Sequence, residues 1–145
     1  MPKSIVKDIK ELTKYRKTKF NSLEYVVSID ASSTHKNATV VNEDECNLEC
    51  WLKEDNRRVQ LSKYVSDRVI EDIRTLHQLW FDDYSHVRSI YYKDADGLIS
   101  KFFSSRKPSQ HELDKAQSYM ADLRKTHEMY NEKMKFLESR VAIYC

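Results

Sequence analysis

Asp30 closes the apolar run Glu24-Tyr-Val-Val-Ser-Ile-Asp30 and precedes the polar turn Ala31-Ser-Ser-Thr-His-Lys-Asn37; a second carboxylate pair, Asp94 and Asp96, follows Val87-Arg-Ser-Ile-Tyr-Tyr92. A carboxylate at the end of a strand either starts a turn or serves as a ligand in metal-dependent phosphoryl transfer. Asp94-Ala-Asp96-Gly97 is not a calcium loop. With Gly97 in the sixth loop position, the first and twelfth fall on Tyr92 and Phe103, and neither supplies a carboxylate.

Sulfur chemistry has less support. Cys46-Asn-Leu-Glu-Cys50 has a spacing that suggests zinc. On a strand, however, four residues at ~3.3 Å each set the thiols roughly 13 Å apart, too far to share one ion. We expect no zinc, and the odd cysteine count, with Cys145 at the end, does not form a disulfide framework. No glycine-rich phosphate loop is present, so no nucleotide cofactor is expected.

The basic groups are unevenly spread. Residues 1–20 hold Lys3, Lys7, Lys10, Lys14, Arg16, Lys17 and Lys19 against Asp8 and Glu11, a local charge of +5 in a chain of net charge +2. Ile5, Ile9 and Leu12 recur at helical spacing within that segment, so it reads as a basic amphipathic helix. Such a helix docks by its stripe and leaves lysines in water, or it lies along nucleic-acid phosphates or an anionic membrane. Lys7, Lys10, Lys14, Arg16 and Lys17, with Arg106 and Lys107, are the candidate phosphate contacts.

The elements that position these groups follow from pattern. At 145 residues the chain suits one domain over 1–145, with a basic helix in 1–20, a core in 23–107 and a long helix in 109–144. Apolar residues at 40% and charged residues at 33% exclude a disordered chain. No apolar run reaches the ~20 residues of a membrane span, and the first residues lack a signal-peptide core, so an intracellular protein is expected, in the cytoplasm or nucleus of a host cell. One glycine with abundant lysine and tyrosine suggests a viral or phage protein.

Alternation of Leu23, Tyr25, Val27 and Ile29 predicts a strand; Ala38–Val41 and Leu48–Leu52 predict two more, completing a three-stranded antiparallel meander. Val65, Val69, Ile73, Leu76 and Trp80 predict a helix from near Ser62 to Asp82-Asp83, with His77 on its flank, partly covered by the sheet. Val87–Tyr92 predicts a fourth strand. Ser109 and Glu112 form a capping box, and Leu113, Ala116, Met120, Leu123, His127, Tyr130, Met134, Leu137 and Val141 keep a 3,4 spacing. The helix they predict packs on its own domain or as a coiled coil; Met129, Phe136 and Ile143 form a second apolar row, and His127 reads as a core position, not a ligand.

The order of elements fits an α/β (or α+β) chain with a ribonuclease H-like core. Val26–Asp30, Ala31–Asn37, Thr39–Val41 and Ser89–Ala95 resemble the nuclease domain of phage large terminase subunits, and more loosely the junction-resolving nucleases. The resemblance implies catalytic Asp30 and Asp94, with Glu138 matching a late acidic position. It would make the chain a Mg²⁺- or Mn²⁺-dependent nuclease, active or decayed: Asp30 bridging two ions, Asp94 and Glu138 holding one each, and Asp96 able to replace either.

A different class of reading is a non-enzymatic interaction protein that oligomerises or binds a partner helix through the seam Leu113, Met120, Leu123, Tyr130, Met134 and Leu137, with nucleic acid as a further partner and no membrane. A third reading notes that a helix, three strands and a helix follow the order of a double-stranded RNA-binding domain, without that family's lysine and glycine motifs.

Overall fold

A computed structural model describes residues 2–28, 47–91 and 109–145. The described residues are helical and include no strand: α1 (Pro2–Ser28), α2 (Asn47–Lys53), a 3-10 turn (Glu54–Asn56), α3 (Arg57–Leu61), α4 (Asp67–Tyr91) and α5 (Gln110–Ala142). The expected meander and ribonuclease H-like core are therefore corrected, and the double-stranded RNA-binding order falls with them. Leu23 and Val27 are buried on the last turns of α1, not alternating on a strand. Leu48, Trp51 and Leu52 share the inner face of α2, and Val87 continues α4 through Tyr91. Ala38–Val41 lies outside the described residues.

The physical reason lies in the spacing. Phe20, Leu23 and Val27 extend the stripe of Ile5, Ile9 and Arg16, while Tyr84 and Val87 extend that of Ile70, Ile73, Leu76, His77 and Trp80. Packing of a continuous apolar stripe outweighs the local strand preference of β-branched residues, which is a weak prior. The expected stop of α4 at Asp82-Asp83 is likewise passed, because Tyr84 and Val87 are buried beyond it. Its start is at Asp67, and Ser62 caps the end of α3 instead.

Two clusters of side chains give the topology. Ile5 and Ile9 of α1 pack with Ile70, Ile73 and Leu76 of α4 and with Tyr130, Met134, Leu137 and Val141 of α5; Leu48, Trp51, Leu52 and Leu61 cover this end. At the other end Phe20, Leu23 and Val27 meet Trp80, Phe81, Tyr84 and Val87, together with Met120 and Leu123. Hence α1 and α4 run parallel, and α5 runs antiparallel to both. α2 and α3 turn against the first end through Asp55 and Asn56, whose left-handed backbone these residue types tolerate.

The long helix is where the spacing placed it. Ser109 accepts from the Glu112 backbone N–H, while the Glu112 carboxylate accepts from the Ser109 N–H, a complete capping box. Its seam is closed within the chain: Met120, Leu123, Tyr130, Met134 and Leu137 are buried against α1 and α4, and Leu113 is half-buried. The row expected to meet a partner helix is thus used by this chain's own helices.

Candidate nucleic-acid interface

The face of α1 opposite its buried stripe carries Lys3, Lys7, Lys10, Lys14 and Lys17, all exposed. Intervals of four, three, four and three residues keep them on one line. At a rise of 1.5 Å per residue, the line is about 21 Å long. None of the five pairs with a carboxylate among the described residues. Elsewhere cations are neutralised across helices: Arg74 by Glu49 at 2.7 Å, Arg124 by Glu24 at 2.9 Å, Lys133 by Asp72 at 3.5 Å.

The acids of α1 barely offset this line. Asp8 is turned toward α2 and α3, where it accepts from Trp51 Nε1 at 2.9 Å and faces Arg57 at 3.8 Å. Glu11 is exposed at the rim of a shallow depression lined by Lys3, Val6, Lys7, Lys10 and Lys14. Four lysines around one carboxylate leave the depression net positive, so an anion held there gains from several ammonium groups at once.

Arg16 is a correction. Position 16 falls on the buried stripe, not the lysine line, so the guanidinium lies in the core. Its carbon sits 4.0 Å from the Tyr130 ring centroid and 4.8 Å from that of Trp80. It donates to His77 Nδ1, so that nitrogen is unprotonated and the ring proton sits on Nε2. His77 is accordingly a core residue, not a flank residue under a sheet.

His127 completes a polar layer between the two apolar clusters, with one member from each long helix. Trp80 Nε1 donates to His127 Nδ1 at 3.1 Å, and Phe20 stacks on the ring at 4.1 Å. Because Trp only donates, the His127 proton also sits on Nε2, where the Asn131 amide lies 3.2 Å away. Turning that amide so that Oδ1 faces Nε2–H satisfies both groups, and Oδ1 is otherwise a buried acceptor with no partner. Burial, and secondly the nearby Arg16 cation, lowers the His127 pKa from 6.5 to about 4. His127 is a satisfied core position, as its place on the seam implied.

The carboxylate site is not brought together within the described residues. Asp30, Asp94 and Asp96 lie outside them, as do Arg106, Lys107 and Cys46. Glu138 is on α5, half-buried. No group of three or more His, Cys, Asp or Glu side chains that could hold a metal occurs among the described residues. Cys50 is on the helix α2 and not on a strand, so the strand spacing expected between the thiols of Cys46 and Cys50 does not apply.

Among the described residues no helix is long and apolar enough to cross a membrane. No protein-family model, curated protein or solved structure matches this chain, so the resemblance to terminase nuclease domains rests on the quoted segments alone, of which residues 26–28 and 89–91 are helical.

Proposed function

We propose that the chain is a helical binding module that holds nucleic acid through its phosphates, with α1 as the contact element. The observation that carries the reading is the line Lys3, Lys7, Lys10, Lys14 and Lys17, exposed and without carboxylate partners among the described residues. Lysine presents a compact charge on a flexible stem that suits phosphates, and contacts confined to phosphates read no sequence. The apolar side of α1 fixes the helix to the bundle, and the lysines reach the ligand without a folding step.

Cleavage of the bound strand has less support, because the described residues are helical and include none of the strands on which a ribonuclease H-like site would hold its carboxylates. The test is fluorescence anisotropy with a labelled duplex of arbitrary sequence in about 50 mM salt. Lys7→Gln, Lys10→Gln and Lys14→Gln together are expected to weaken binding by about a hundredfold or more, since each lost phosphate contact forfeits its counterion release. Absence of binding by the parent, or equal binding by the triple variant, overturns the proposal.

A further inference from the structure

The outer side of α5 carries a row that the bundle does not use. Met129 and Phe136 on α5, with Ile143 at its C-cap, recur at intervals of seven and are 49%, 47% and 69% exposed, on the side turned away from the buried seam. Tyr64 and Val69, both half-buried, continue this surface from Phe136 across a shallow groove toward α4. Heptad spacing on an exposed helix face suits pairing with another helix, and the flanking charges specify which one.

Glu132 lies four residues before Phe136 and Arg140 four residues after it, both exposed. Glu132 has no partner among the described residues, and Arg140 spends only Nε, which donates to the Tyr64 carbonyl at 3.3 Å. We infer that α5 pairs with α5 of a second copy of this chain, antiparallel, about a two-fold axis through Phe136. Residues equidistant from Phe136 then face each other, so Met129 meets Ile143 and Glu132 meets Arg140, each twice. A parallel arrangement sets Glu132 level with Glu132 and Arg140 level with Arg140. The antiparallel interface is self-complementary, as a two-fold interface must be. Lys133 does not oppose it, because Asp72 of the same chain holds it at 3.5 Å.

Sedimentation velocity on the full chain over a concentration series tests this. The expected result is a weight-average mass that rises with concentration from the 17.3 kDa monomer toward twice that value. Phe136→Glu holds it at the monomer, and circular dichroism reports the variant folded. Glu132→Arg and Arg140→Glu each weaken the dimer about tenfold by setting like charges opposite, and the two together restore it. A parent that stays monomeric overturns the inference. So does a dimer that survives Phe136→Glu, or a double variant that dimerises no better than the single ones.

Discussion

At the residue scale the polar layer shows how three ionisable side chains, Arg16, His77 and His127, occupy the middle of an apolar bundle. Arg16 donates to His77 and lies over aromatic faces, while Trp80 donates to His127. Removing one member strands the other: Arg16→Met leaves His77 Nδ1 without its donor and is expected to cost about 1–3 kcal/mol, whereas Arg16→Met with His77→Leu recovers most of it. Urea unfolding of the parent, the two single variants and the double variant forms the cycle that checks this.

His127 makes the same layer sensitive to acid. Its folded pKa, near 4, lies below the unfolded 6.5, so the unfolded chain binds the extra proton in between. The neutral ring therefore contributes full stability above pH 6.5, and the contribution falls as the pH drops from there to about 4. Between pH 7 and pH 5 the loss is expected to be about 2 kcal/mol. His127→Asn keeps an acceptor for Trp80 and cannot titrate, so its stability should fall by that much less over the same interval. Equal acid sensitivity in urea titrations of both proteins would contradict this.

At the element scale, legibility depended on whether one period ran without interruption. The 3,4 spacing from Ala116 to Val141 and the capping box at Ser109 made α5 readable, and Ile5, Ile9 and Leu12 did the same for the first half of α1. The remainder of α1 was lost to the alternation of Leu23, Tyr25, Val27 and Ile29, in which every second residue is apolar. Leu23 and Val27 are also four apart, and the buried face selects that relation. Short apolar segments satisfy both periods, and only their partners decide between them. Arg16 and His77 fall on apolar stripes, but a charged or polar residue type argues for the surface or the flank, as a phosphate contact for Arg16 and a partly covered flank for His77, until a buried partner is known.

Two substitutions test these assignments. Ser109→Ala removes the acceptor for the Glu112 N–H and is expected to lower stability by about 1 kcal/mol. Leu123 is fully buried between α1 and α4, so Leu123→Ala should cost about 2–5 kcal/mol. Leu123→Asp should unfold the chain, not separate a dimer. A folded, monomeric Leu123→Asp protein, seen by circular dichroism and sedimentation, would show that the seam serves a partner instead.

At the scale of the whole molecule, two long surfaces stay clear of the packed core of the described residues. The inner stripes of α1, α4 and α5 close on one another, and the surface left among the described residues includes a basic line on α1 and an apolar row on the outer side of α5. The basic helix was legible from the charge count of the first twenty residues. The separation of Arg16 from the five lysines was not, because it depends on which side of α1 meets Trp80 and Tyr130.

The measurement that bears most directly on the phosphate-binding claim is the salt dependence of duplex affinity. If five lysines displace counterions, log K against log salt should have a slope of about −4 to −5, becoming shallower by about 0.9 for each of Lys7, Lys10 and Lys14 replaced by Gln. A slope near zero, or one unchanged by those replacements, would contradict the account.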